Sequence, residues 1–174
     1  QMCIRDRFIS YYSYYNEKYY EFDIHPYFVK AFKKRWYVVA YSPGTNDIRC
    51  YALDRMENVI ISEEMFKMPK DLEPAEYFKD CFGIINNKDS EVQKVVLKVD
   101  AFQSNYIRNL PLHESQKEAE RTDEYSIFEY HLKPEFDFEQ EIFSNMDAME
   151  VLEPLWLRAE VTEKLRNLAE KYKI

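Results

Sequence analysis

The 174-residue chain is 46% hydrophobic and 17% aromatic, well above what disorder tolerates, and long enough for one large core or two small ones. Its two glycines exclude glycine-rich phosphate loops and dinucleotide turns, and no apolar run nears the length of a membrane span or a signal-peptide core. The net charge of −8 argues against nucleic acid as a partner, but residues 8–62 carry seven Lys/Arg against six Asp/Glu while residues 63–174 carry fifteen against twenty-five.

The opening residues 1–7, "QMCIRDR", lack apolar periodicity and resemble translated sequencing-adapter residue. They are read as a non-native scar and set aside from fold reasoning, with the natural chain expected to extend further at its N-terminus. From Phe8 the chain reads as strands: Phe8–Tyr15, Tyr19–Phe32 around His25-Pro26, Arg35–Tyr41, Ile48–Leu53 and Met56–Ile61. The Pro43-Gly44 pair marks a turn. Five short strands with tight turns predict a small barrel or a rolled sheet. "LEPAEYFKDCFG" has Pro74 at a first helical turn and Gly83 as a stop, predicting a short helix.

The polar stretch 85–91 is placed as a linker between domains at 8–84 and 92–174. Beyond it, "VQKVVLKVD" alternates as a strand, "AFQSNYIRNL" suits a helix, and "SQKEAER" and "SIFEYHLK" form a strand pair. "EFDFEQEIFSN" has helical spacing, "AMEVLEP" is a strand, and residues 155–173 form an amphipathic helix with Leu157, Val161, Leu165 and Leu168 on one stripe. The order β-α-β-β-α-β-α predicts a ferredoxin-like α+β domain with an extra C-terminal helix.

The chemistry-bearing residues are sparse. Cys3, Cys50 and Cys81 share no C-x-x-C spacing, and His25, His113 and His131 show no ligand spacing, so no metal site and no cofactor is expected. Unpaired cysteines are the default of a cytoplasmic protein. No serine or cysteine has the context of a nucleophile, and "EFDFEQE" reads as a solvated helix face, so no catalytic residue and no enzyme is expected.

Several spaced elements resemble the WYL domain, a small SH3/Sm-like β-barrel fused to bacterial regulators. The naming motif falls on Trp36-Tyr37-Val38, with valine where leucine is usual. "HPY" at 25–27, "RCYALDRM" at 49–56 and "EYFKDCFGI" at 76–84 match flanking elements of that family. "YIRNLPLHESQ" at 106–116 and "VLEPLWLRAEV" at 151–161 resemble its C-terminal extension, WCX. The family usually carries a helix and a helix-turn-helix DNA-binding domain ahead of the first strand. The resemblance implies a transcription regulator that reaches operator DNA through such a domain, is a homodimer, and senses an effector, often suggested to be a nucleic acid or nucleotide.

The candidate ligand-binding residues are His25, Arg35, Tyr37, Arg49, Tyr51 and Arg55. Strand alternation puts Arg35, Tyr37, Val39 and Tyr41 on one face and Trp36, Val38 and Ala40 on the other, and groups Arg49, Tyr51 and Leu53. Guanidinium groups beside tyrosine rings suit a single-stranded nucleic acid or a nucleotide, since arginine forks phosphate and rings stack on bases. Trp36, between apolar neighbours, reads as a core anchor, and Lys33 and Lys34 as a solvated hairpin turn. The long C-terminal helix is the expected contact between chains. The alternatives are a stand-alone binding adaptor without a DNA-binding domain and, more weakly, a nucleotide-processing enzyme.

Overall fold

The computed structural model describes residues 3–173, with side chains from residue 5 onward. The chain parts into two compact units between Tyr77 and Phe78. The architecture is mixed α and β, built on two antiparallel sheets.

The first unit contains β1 (Cys3–Ser13), β2 (Lys18–Phe32), β3 (Arg35–Ser42), β4 (Asp47–Ala52) and β5 (Met56–Lys67), in the sheet order β4-β3-β2-β1-β5. Aromatic and β-branched residues dominate these strands, as their propensity requires. The sheet curls over a small core of Ile9, Ile24, Val38, Ala40 and Tyr51. Tyr11 of β1 meets Tyr51 of β4 edge to face at 5.3 Å, although these strands are not neighbours in the sheet. A 3₁₀ turn at Leu53–Arg55 intervenes between β4 and β5, and among the described residues no ladder joins those two strands, so the barrel is not closed.

Two differences from the sequence reading concern the ends of elements. Residues Cys3–Arg7, set aside above, form the start of β1 and pair with β5 from Cys3↔Lys67 to Arg7↔Ile61. The reason is that β5 runs on beyond Ile61 to Lys67, and backbone pairing along that edge demands little of the side chains. Gln1 and Met2 of that stretch lie outside the described residues. The helix expected from "LEPAEYFKDCFG" is α1, Pro74–Phe78 alone. It ends there because the chain turns so that Cys81 bridges Lys133, with the Lys133 N–H donating to the Asp80 carbonyl at 2.8 Å.

The second unit follows as β6 (Gln93–Asp100), α2 (Ala101–Asn109), β7 (Lys117–Arg121), β8 (Tyr125–Leu132), α3 (Phe136–Ser144), β9 (Met149–Glu153) and α4 (Leu155–Tyr172). Its antiparallel sheet has the order β7-β8-β6-β9. Alternate residues Val95, Leu97 and Val99 of β6 and Phe128, Tyr130 and Leu132 of β8 point into one core, closed by Phe138, Ile142, Leu157 and Val161 from the helices. The polar stretch after Phe78 packs with this unit: Asp137 accepts the N–H groups of Ile84 and Ile85 at 2.8 and 3.2 Å. Of the predicted α4 stripe, Leu157 and Val161 are buried while Leu165 and Leu168 are exposed. No helix among the described residues is long and apolar enough to cross a membrane.

Candidate nucleic-acid interface

The β2–β3 hairpin carries the basic run. Its two-residue turn is Lys33-Lys34, with φ of 44° and 65°. Two successive positive φ values are what a primed turn needs to match the right-handed twist of the strands. Glycine, asparagine or aspartate normally occupies such positions, because a side chain in left-handed backbone costs about 1–2 kcal/mol per residue. Lysine at both places keeps charge at the tip at an energetic cost to the fold.

Cross-strand register assigns the faces. Val29 pairs with Val38 and Ala31 with Trp36, while Lys30 pairs with Tyr37 and Phe32 with Arg35. Directly opposed residues share a face. Val38 therefore sits over the small core, and Trp36 lies on the same face two residues nearer the turn. There Trp36 is 57% exposed, and Val29 and Leu53 are exposed as well. This overturns its reading as a core anchor. The hairpin outruns its neighbour: β4 ends at Ala52, opposite Tyr37, so among the described residues no strand lies alongside Trp36 on that side.

The tip thus displays an indole face with Lys33, Lys34 and Arg35 immediately before it in the chain, and Lys30 and Tyr37 as a cross-strand pair on the other side of the sheet. Arg35 forms an ion pair with Asp54 at 3.3 Å, and both side chains remain close to half exposed. An exposed pair of this kind is worth under about 1 kcal/mol, so a phosphate can displace the carboxylate.

The other candidate residues are distributed differently from the sequence expectation. The β3–β4 register pairs Val38 with Tyr51 and Ala40 with Arg49. Arg49 and Tyr51 therefore lie on the face of Trp36, and not with Arg35 and Tyr37. Alternation within each strand is legible in a sequence, but the turn sets register, and here it opposes odd positions to even ones. Tyr51 is buried, its ring tilted on Phe22 at 5.5 Å, and burial pushes its phenol up despite a hydrogen bond with Ser42. It belongs to the core. Arg49 is exposed near the far end of β4.

Arg55 is engaged within the unit. Its guanidinium lies 4.5 Å from the Tyr11 ring centroid and 4.4 Å from that of Tyr14, and Nε donates to the Tyr12 carbonyl at 2.9 Å. His25 stacks on Phe66 at 4.6 Å, within 5° of parallel, and its Nε2 lies 3.3 Å from Asp6 Oδ2. Burial pushes the Asp6 carboxyl up, with His25 the largest opposing influence. The structure therefore gathers Arg35, Tyr37 and the hairpin lysines at one end of the sheet and places His25, Tyr51 and Arg55 in packed surroundings. The residue missed by sequence reasoning is Trp36. Its signal was the position two residues after a cationic turn, too near the tip for a facing strand to cover.

Comparison with known proteins places these observations in a family. The WYL domain matches residues 7–61, which contain the entire hairpin, and the WCX domain matches residues 91–169. The chain is a WYL–WCX protein. No curated protein matches it. Among solved structures, a CRISPR Cas-related protein aligns over 97% of this chain and 48% of its own, at 12% identity and a TM-score of 0.55. Proteasome accessory factor B/C (PafBC) of Arthrobacter aurescens aligns over 90% of this chain and 23% of its own, at 18% identity and a TM-score of 0.37. The chain thus spans about half of the first structure's length and under a quarter of the second's.

Proposed function

We propose that this WYL–WCX chain is the effector-sensing part of a bacterial transcription regulator, and that the effector is a single-stranded nucleic acid or a nucleotide bound on the β2–β3 hairpin. The observation that carries this reading is the exposed Trp36 near the tip of a hairpin that also carries Lys33, Lys34 and Arg35. A base stacks on the indole face for about 1–3 kcal/mol, and lysines and an arginine fork meet the phosphates. Two lysines held in costly backbone at the tip support a functional reading of the hairpin, since strain of this kind gathers at ligand sites. The nearly neutral charge of residues 8–62 lets a polyanion approach.

On this reading the first unit is an Sm-like barrel open at the seam between β4 and β5, supported by its strand order and small curled core. The second is a ferredoxin-like unit with an added helix, supported by the order β-α-β-β-α-β-α and the sheet order β7-β8-β6-β9. The regulator works in the cytoplasm and reaches operator DNA through a separate DNA-binding domain. Effector binding shifts the population between arrangements of that domain by its differential affinity for them.

The test is a titration of fluorescent single-stranded DNA and RNA oligonucleotides, and of mononucleotides, at several salt concentrations. Trp36→Ala lowers affinity about tenfold or more at every salt concentration, whereas removing hairpin cations flattens the salt dependence. Arg49→Ala and Arg55→Ala leave binding by the folded protein unchanged. Wild-type affinity for Trp36→Ala, or no binding by the wild type, refutes the assignment.

A further inference from the structure

We infer that the tyrosine-rich outer face of the β1–β2 hairpin is a docking surface for a proline-rich, arginine-bearing segment of a partner protein. This hairpin lies at the start of β2 and the Lys33-Lys34 turn at its end, so the surface is separate from the ligand site proposed above. Six of the ten residues 11–20, "YYSYYNEKYY", are tyrosine. Register divides those on the strands: Tyr11 opposes Tyr20, and Tyr12 opposes Tyr19. Tyr11 packs on the core with Phe22 and Tyr51, which leaves Tyr12 and Tyr19 on the outer face.

Tyr14, Tyr12 and Tyr19 make a continuous row. The Tyr12 centroid lies 5.7 Å from that of Tyr14 and 5.0 Å from that of Tyr19, with ring planes inclined by 76° and 58°. The row is held in place at both ends. The Arg55 guanidinium sits 4.4 Å from the Tyr14 centroid, and the Tyr19 hydroxyl donates to Glu57 Oε1 at 2.7 Å. Tyr14, Tyr15 and Tyr19 are nonetheless 58%, 94% and 48% exposed. An aromatic side chain buries about 150–250 Å², so these three leave about 300–500 Å² of ring surface uncovered, the size of patch that marks an interaction site.

Charge on the same face chooses the occupant. Ser10, the next outer position of β1, opposes Glu21 of β2 and Glu57 of β5, and Phe8 beyond it opposes Asp23 and Ile60. Glu21, Asp23 and Glu57 are exposed, and no Lys or Arg stands at these positions. Three carboxylates repel a phosphate backbone, and equally a second copy of this face, and they attract an arginine. The steep angles between the rings leave slots where a flat stacking platform would have none. Pyrrolidine rings fill such slots, and a polyproline II segment presents them preformed at little entropic cost, with its carbonyls open to tyrosine hydroxyls.

Fluorescence anisotropy with a labelled peptide of repeating Pro-Pro-Arg units tests the inference, using the whole chain. The wild type binds it, and Tyr14→Ala and Tyr19→Ala each weaken binding about tenfold or more, while Tyr19→Phe, which keeps the ring, does not. Glu21→Lys weakens binding comparably at an exposed position that leaves the thermal midpoint at the wild-type value. Trp36→Ala leaves peptide binding unchanged, so this result and the oligonucleotide titration at the other hairpin fail or succeed separately. No binding of the peptide, binding that survives both alanine variants, or equal affinity for a Gly-Ser-Arg repeat of the same charge overturns the assignment. So does oligothymidine binding or self-association that the same tyrosine variants abolish, since either would give the rings a different occupant.

Discussion

Replacing Lys33-Lys34 by Asn-Gly separates what the hairpin tip does for the fold from what it does for a ligand. The two residues hold φ of 44° and 65°, in left-handed backbone that costs a side-chain-bearing residue about 1–2 kcal/mol. Asn and Gly relieve most of that cost, and the entropy of one added glycine returns about 0.5–1 kcal/mol of it. The Lys33 ammonium also lies 5.7 Å from the Phe32 ring centroid, a contact worth about 0.5 kcal/mol at an exposed site. The net expectation is a protein more stable by about 1 kcal/mol, read as a higher urea midpoint with an unchanged slope. Removing two phosphate contacts lowers the slope of log affinity against log salt for a single strand by about 1.4. A variant that is both more stable and weaker in binding, with the shallower slope, is the expected result. Unchanged affinity and slope would show that the lysines meet no phosphate and refute the reasoning.

Arg55→Ala loses two cation–π contacts of about 0.5–1 kcal/mol each and a hydrogen bond of about 1 kcal/mol, so urea unfolding should give a loss of about 2–3 kcal/mol; a loss below about 0.5 kcal/mol would return Arg55 to the ligand candidates. Leu157→Ala, at a fully buried position, should cost about 2–5 kcal/mol, and Leu168→Ala, on the exposed half of α4, under about 1 kcal/mol. The Arg108 fork holds the Glu118 carboxyl down to about 2. Its folded value lies below the unfolded value of about 4.3, so this contribution to stability is complete above that pH and lost as pH falls from there toward 2. Arg108→Ala should therefore flatten the pH dependence of the urea midpoint in that window, and an unchanged profile would contradict the pairing. Tyr130→Phe removes the hydroxyl that donates to Gln116 Oε1 at 3.1 Å within the core, and should cost about 1 kcal/mol by thermal or urea unfolding.

Much of the fold was legible because local patterns and tertiary burial agree. Val95, Leu97 and Val99 alternate in the sequence and are buried together in β6. The Phe138 and Ile142 spacing made α3 visible, and the strands of the first unit were marked by aromatic runs and turn residues. The cationic character of the hairpin tip was also legible, since Lys33, Lys34 and Arg35 are adjacent and a turn there leaves them in solvent.

Which residues share a surface was decided only by the tertiary structure. Parity orders the side chains within one strand, but the β3–β4 register set Arg49 and Tyr51 on the face opposite Arg35 and Tyr37. Composition around Trp36 resembles that of a buried strand, and its exposure follows from where β4 stops, a fact about a neighbouring element. Arg55 read as a candidate until Tyr11 and Tyr14, more than forty residues away in the chain, were seen to bracket it. The sequence by itself determined the elements, their order and the charge at the tip, because those depend on residues close together along the chain. The structure decided which rings are buried, which are presented, and which cations are already held, because burial and pairing depend on what the rest of the chain brings alongside.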